Sequence, residues 1–345
     1  SDPYTAQRNG SQGNMGPRYD INATTGVFTI IPPSAPITTL PGNVLGKRII
    51  VNNTDLNPAL NPGAQYWGEC QYVHQQDAGA GNNANNAARR LITVGALSGV
   101  APNQSYTLAV SGPTIQLECA LFAWQAFDPS VTILNVDVPS DGRFVVAYDV
   151  TETTPGTWHY EYAIYNLNSH RSGEKFVVPV PDGVNVSNIQ FKDVDYHTQQ
   201  LLAPQFQVDN IDWNGTRNST DVTWNTSAYT GTTASGGNEN TANALRWGTT
   251  SNYRFDADTA PVDAEASIDL FRPGSPDAVS FTVKAPGAPV GCDEDLTGDG
   301  VVDGFDLATL LGAWGPCAGC PADLDGDGDV DGFDLATLLG AWGPC

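Results

Sequence analysis

Positive charge is scarce in this chain. Of 345 residues only 15 are Lys or Arg against 38 Asp or Glu, a net charge of −23, and Lys stands only at Lys47, Lys175, Lys192 and Lys284. Nucleic acids and anionic membranes are bound through clustered Lys and Arg, so neither is expected as a partner. No run approaches the ~18 apolar residues that a membrane helix needs, so no membrane span is expected. Leader-like sequence is missing too: Ser1 opens directly onto polar residues, which reads as a mature chain whose signal peptide has been removed. Local catalytic signatures are equally scarce. There is no Gly-x-Ser-x-Gly elbow, no His-Glu-x-x-His and no Gly-rich phosphate loop. The chain therefore reads as a non-enzyme. A glycosidase stays open as an alternative, because paired carboxylates need no local motif.

The acid that is present is unevenly placed. From Gly291 to Cys345 there are 12 Asp or Glu and no Lys or Arg, a block that repels itself unless cations sit in it. The six cysteines divide likewise, with Cys292, Cys317, Cys320 and Cys345 in the tail and Cys70 and Cys119 far upstream. An even count points to disulfides and to an extracellular or cell-surface location. Cys70 and Cys119 are expected to bridge within the body. The C-x-x-C of Cys317 and Cys320 also fits zinc, which ranks below a disulfide beside so many hard oxygen ligands.

Residues 1–26 are polar, rich in Gly and Asn and without periodicity, an extended N-terminal arm. Residues 27–284 alternate short β-type runs with turn signals: Arg48–Val51, Tyr106–Val110, Val131–Val136, Tyr253–Phe255, Ser267–Phe271, Val279–Val283. In Thr157–Asn166, Trp158, Tyr160, Tyr162 and Ile164 share one face and His159, Glu161 and Ala163 the other. With Phe144–Tyr148 before it and Lys175–Val180 after it, this predicts an antiparallel meander. The fold class expected is mainly β, an antiparallel sandwich body with a small helical C-terminal domain. The body is one large sandwich or two smaller ones, with a possible joint at 139–142. The loops Gly79–Ala88 and Thr226–Asn243 are long and poor in apolar residues. Residues 285–291 form a Pro/Gly linker.

Compared with itself, the tail shows a repeat. Asp303–Cys317 recurs unchanged as Asp331–Cys345, 28 residues on, and the same offset carries Asp295 onto Asp323. Each copy opens with a 12-residue loop. Calcium takes six to eight oxygens, and such loops supply them from positions 1, 3, 5, 7 (a carbonyl), 9 and 12, with Gly at 6 for the turn. Loop one presents Asp295, Thr297, Asp299, the Val301 carbonyl, Asp303 and Asp306, turning at Gly300. Loop two presents Asp323, Asp325, Asp327, the Asp329 carbonyl, Asp331 and Asp334, turning at Gly328. The cofactors implied are two calcium ions. Val302 and Val330, at position 8, are placed to pair the loops back to back. After each loop comes a helix with an apolar stripe, Leu307, Leu310, Leu311 and Trp314, then Leu335, Leu338, Leu339 and Trp342. Neither stripe can be buried alone, so the helices are expected to pack on each other.

With no helix entering either loop and Asp at position 12, residues 292–345 resemble the dockerin family (type I). That resemblance implies docking to a cohesin receptor on a scaffold or surface. At loop positions 10 and 11, where well-known dockerins often carry small hydroxylated residues, this chain has Gly304–Phe305 and Gly332–Phe333. Four tail cysteines permit three pairings. A pseudo-twofold relation of the halves favours Cys292–Cys345 with Cys317–Cys320. In Trp158–Asn168, Asp193–His197 and Ala244–Gly248 the body loosely resembles secreted bacterial proteins that carry such tails.

The function expected is that of an extracellular structural or surface-attachment protein. Its tail is expected to dock to a partner or a neighbouring copy and its arm to add to the association, as in a filament subunit. The alternative is a carbohydrate-binding module or dockerin-bearing glycan-active enzyme, with Trp213 and Trp224 as candidate sugar platforms. Asp193, Asp195 and His197 form a weak metal-like cluster that reads better as a polar strand face. Eight N-x-S/T sequons, at Asn9, Asn22, Asn52, Asn103, Asn185, Asn214, Asn218 and Asn225, leave glycosylation open.

Overall fold

The computed structural model describes residues 21–28, 51–101, 104–194, 209–231, 242–287, 293–297 and 301–344. It divides into two compact units, Ser1–Pro286 and Gly287–Cys345. Among the described residues no helix is long and apolar enough to cross a membrane.

The first unit is an antiparallel β-sandwich. Its elements before the sandwich are the hairpin β1 (Ile21–Asn22) and β2 (Val27–Phe28), helix α1 (Asn53–Leu56), β3 (Tyr66–Gln71), helix α2 (Gln75–Gly79), β4 (Ala87–Ser98), β5 (Ser105–Gln116) and helix α3 (Phe122–Phe127). The sandwich strands are β6 (Thr132–Asp137), β7 (Arg143–Thr154), β8 (Thr157–Asn166), β9 (Gly173–Pro179), β10 (Val186–Lys192), β11 (Asn214–Arg217), β12 (Asp221–Asn225), β13 (Thr249–Ala257), β14 (Pro261–Leu270) and β15 (Ala278–Pro286). They form two five-stranded sheets, β10-β13-β8-β7-β6 and β11-β12-β9-β14-β15, and β3-β4-β5 form a third, smaller sheet. Residues 139–142, the possible joint, turn the β6–β7 hairpin within one sheet of this single sandwich.

Alternation decides which side chains enter the core. In β8, Tyr160, Tyr162 and Ile164 are fully buried against Phe176, Trp224 and Val283 of the opposite sheet, while His159 and Glu161 face outward. Buried phenols need partners. Tyr160 Oη donates to Thr259 O and Tyr162 Oη to Lys284 O, both at 2.7 Å. The expected meander is corrected in its third strand. β7 and β8 pair, but β9 crosses to the second sheet, between β12 and β14. The crossing is held by polar bonds that a strand pattern does not announce: Asn166 Nδ2 donates to Ser169 O and Leu245 O, and Ser172 adopts a φ of 59°.

Three further expectations are corrected in this unit. Cys70 and Cys119 are not bridged; Cys70 is exposed and Cys119 buried. Glu69 turns its carboxylate inward, accepting from Ala120 N at 2.6 Å and from Tyr165 Oη, so Cys70, next along β3, points to the other face. Burial, reinforced by the Glu69 charge, pushes the Cys119 thiol up to about 12. Trp213 and Trp224 are core residues, their indoles donating to Asn243 O and Gln190 O, and offer no sugar platform. The last residues of the N-terminal arm belong to the body. Thr24 Oγ1 bonds Asp141 Oδ1 and Asn168 O, each at 2.8 Å, and Asn83 Nδ2 donates to Thr24 O. Residues 1–20, Arg48–Ile50, Asp195 and His197 lie outside the described residues, as does most of the Thr226–Asn243 loop.

The second unit contains β16 (Val301–Val302), helix α4 (Gly304–Gly312), β17 (Gly315–Pro316), β18 (Asp329–Val330), helix α5 (Gly332–Gly340) and β19 (Gly343–Pro344). Its core is small: Val302, Leu310, Ala322, Val330 and Leu338, flanked by Leu296, Leu307, Leu324 and Leu335.

Candidate metal centre

Each helix of the tail starts from its own loop. Asp303 caps α4, its Oδ1 accepting from Phe305 N at 2.7 Å, and Asp306 Oδ2 returns to Asp303 N at 2.7 Å. Asp331 and Asp334 repeat this at α5 with 2.8 and 2.7 Å. These are capping boxes built with Asp instead of Glu at the third helical position. Both inner acids are fully buried. Asp306 Oδ1 also accepts from Thr297 N, and Asp334 Oδ1 from Leu324 N and Asp325 N. The N–H of Asp303 (for Asp306) and of Asp331 (for Asp334) holds each carboxyl below the ordinary Asp value, and the loop N–H groups help against desolvation. Positions 9 and 12 of each loop therefore join helix start to loop start. The spacing Asp-x-x-Asp before an apolar run carried that signal.

Loop two gathers the carboxylates. Asp323, Asp325 and Asp327 bring one oxygen each within 4.8 Å of one another, a group able to hold a metal ion. Successive turns set them: Gly328 N donates to Asp323 Oδ2, Asp327 N to Asp325 Oδ1 and Asp329 N to Asp327 Oδ1, at 3.1, 3.1 and 2.9 Å. Asp323 Oδ1 is buried and has no hydrogen-bond partner among the described residues. A buried, unpaired carboxylate oxygen is costly in the absence of a cation, so the donor set fits a metal. The N–H of Asp327 pulls the Asp325 pKa down. Desolvation and the like charges of Asp327, Asp334 and Asp323 outweigh it, and Asp325 sits above the ordinary value. Asp334 Oδ1 is filled by its two donors, but Asp334 Oδ2 and both oxygens of Asp331 keep a lone pair for coordination, since each carboxylate oxygen has two. In loop one, Thr297 Oγ1 donates to Asp295 Oδ1 at 3.2 Å where loop two has a third-position acid. Asp299 lies outside the described residues, and Asp303 and Asp306 hold their capping places.

The back-to-back pairing of Val302 with Val330 is corrected. Val302 pairs with Gly343 and Val330 with Gly315, each loop bonding the exit of the other repeat's helix. Gly315 and Gly343 adopt φ of 105° and 132°, a region open to glycine, and this turns the chain out of each helix into its short strand. The two pairings are equivalent under the 28-residue offset, and both valines still meet in the shared core. Cys317 and Cys320 form a disulfide of 2.06 Å. Cys292 and Cys345 lie outside the described residues.

The apolar stripes are corrected as well. Leu310 and Leu338 are fully buried, but Leu311, Trp314, Leu339 and Trp342 are half-exposed, and Phe305 and Phe333 largely so. Asp306 and Asp334 take the inner positions that the stripe would have filled. The outer face of each helix is therefore uncharged and mostly apolar, with Phe305, Ala308, Leu311 and Gly312 beside Thr309, whose hydroxyl donates to Phe305 O, on α4 and their equivalents on α5. No family model, no curated protein and no solved structure matches the chain.

Proposed function

We propose that this is an extracellular structural or attachment protein whose C-terminal unit is a calcium-locked, dockerin-like docking module. The convergence of Asp323, Asp325 and Asp327 around a buried unpartnered oxygen carries the reading. Calcium suits an all-oxygen, flexible donor set, whereas magnesium keeps several waters and prefers fewer protein ligands. Loop two would hold one ion through those three acids, the Asp329 carbonyl, Asp331 and Asp334. Loop one would hold another through Asp295, Thr297, Asp299, the Val301 carbonyl, Asp303 and Asp306. The uncharged outer faces of α4 and α5 support docking, because clustered exposed apolar side chains mark protein contacts. The Cys317–Cys320 disulfide supports an oxidising compartment.

Calorimetry of the full chain tests this. Two calcium ions should bind, the tighter at loop two, which has five side-chain carboxylates among its ligands against four in loop one. Asp325→Ala should weaken that tighter site selectively. No calcium heat, or a stoichiometry of one, overturns the reading.

A further inference from the structure

Between Arg90 and Glu118 the chain runs 27 residues without a charge. This stretch makes up most of β4 and β5. β3 pairs β4 only from Ala87 to Ile92, so beyond that point β4 and β5 continue as a two-stranded ribbon. Residues opposite each other in a ladder share a face. The register sets Ile92 against Val110, Val94 against Leu108 and Leu97 against Tyr106. These six form an apolar stripe in which Leu97, Leu108 and Val110 are 43%, 49% and 58% exposed. Among the described residues β5 is the outer strand of its sheet. Native edge strands are normally guarded by charge, proline or bulges. Pro113 and a register shift between Arg89 and Leu91 guard the base of β5, and a second shift between Val94 and Leu97 interrupts β4 opposite Tyr106–Leu108, but Ser105–Ser111 itself carries neither charge nor proline.

We propose that the Ser105–Ser111 edge pairs with the same edge of a second copy, antiparallel about a twofold axis through Leu108. The segment is self-complementary in the sense an isologous contact requires. Centred on Leu108, the pairing sets Tyr106 against Val110, Thr107 against Ala109 and Ser105 against Ser111. Aromatic with β-branched is a favourable cross-strand pair, and Tyr106, Leu108 and Val110 of both copies fall on one face. Such a ladder supplies about 6–8 main-chain hydrogen bonds, within the range of an ordinary interface. The self-complementary register selects a second copy as occupant, and charge allows it. Two copies of a −23 chain repel each other, and here they meet without opposing a single acid. Val110 lies opposite Ile92, the last residue of β4 that β3 pairs. The Val110 residues of the two copies stand four residues apart along the ladder, about 13 Å at ~3.3 Å per residue and beyond the ~8 Å screening length, so the charged roots stay apart.

Sedimentation of the full chain, in calcium and in EDTA, tests the pairing separately from the tail module. A concentration-dependent dimer should persist in EDTA and strengthen with salt. Leu108→Glu and Leu108→Lys should each weaken it at least tenfold, because the twofold axis opposes like charges. Mixing the two variants should restore dimers. A wild type monomeric to about 100 μM in EDTA, where a standard-sized interface would be populated, overturns the proposal. So does association that neither variant changes, or loss that mixing does not repair. Calcium stoichiometry is unaffected by any of these outcomes, so the metal reading stands or falls by itself.

Discussion

His159 shows how much one side chain on the outer sheet face can do. Its Nδ1 lies 2.6 Å from Asp256 Oδ1 and its Nε2 3.3 Å from Glu161 Oε2. Desolvation pulls the imidazole pKa down, but bonds to and charges of the two acids outweigh it, and the value rises above the ordinary 6.5. A raised folded-state pKa stabilises fully below the unfolded value, and that stability is lost as pH rises through the folded one. Asp256 sets the acid limit. Desolvation raises its pKa, yet Asn188 and His159 hold it below the ordinary value, so its share is lost as pH falls through that lowered value. His159→Gln should therefore cost up to about 1 kcal/mol near pH ~5.5 and almost nothing near pH ~9, read from denaturant midpoints. An equal cost at both values would mean that the ring only packs.

At the scale of elements, periodicity told the two sides of a strand apart better than the two sides of a helix. In β8 Tyr160, Tyr162 and Ile164 enter the core as the pattern says, although Ala163 and Tyr165 on the other face are also buried, in clusters with Leu121, Phe122 and Trp124. In α4 the i, i+3, i+4 pattern treats Leu310 and Leu311 alike, yet one is fully buried and the other half-exposed. The difference comes from Asp306, whose buried capping bonds fix the rotation of the helix. Leu310→Ala should cost about 2–5 kcal/mol and Leu311→Ala under ~0.5 kcal/mol. Amide exchange of residues 301–344 would measure both; similar losses would restore the stripe. Turns were the other unread feature. A Cβ on Gly142 would lie 2.5 Å from the Asn168 carbonyl carbon and oxygen, where the β6–β7 turn meets the crossing to β9. Gly142→Ala should lower stability by about 1–3 kcal/mol through backbone displacement. A melting temperature equal to wild type would show that the turn can yield. Asp141 beside it accepts from Ser169 Oγ and Arg171 N, contacts of high sequence separation that no local motif encodes.

For the whole molecule, the sandwich and the repeated tail were legible because both are written in short-range periodicities. Strand order, the separation of Cys70 from Cys119 and the cross-pairing of the two loops were not, since each depends on which distant segment arrives next to it. The tail has a small core and 12 acids without a base, so its order should depend on cation and disulfide together. Chelator plus reductant should speed amide exchange across residues 293–344 and leave the two five-stranded sheets protected. Unchanged exchange in the tail would show that capping boxes and core suffice without metal.

The cross-pairing has one more consequence. Val302 meets Gly343 and Val330 meets Gly315, and these contacts join the two copies of one identical 16-residue run, Val302–Cys317 and Val330–Cys345. Within that segment nothing distinguishes a chain's own second repeat from a neighbour's. Closure within one chain is favoured only by the effective concentration that a short connection supplies, on the order of millimolar. Where chains are tethered side by side at comparable density, the same contacts close between them with no new interaction required, and the tail becomes a domain-swapped link instead of a closed module.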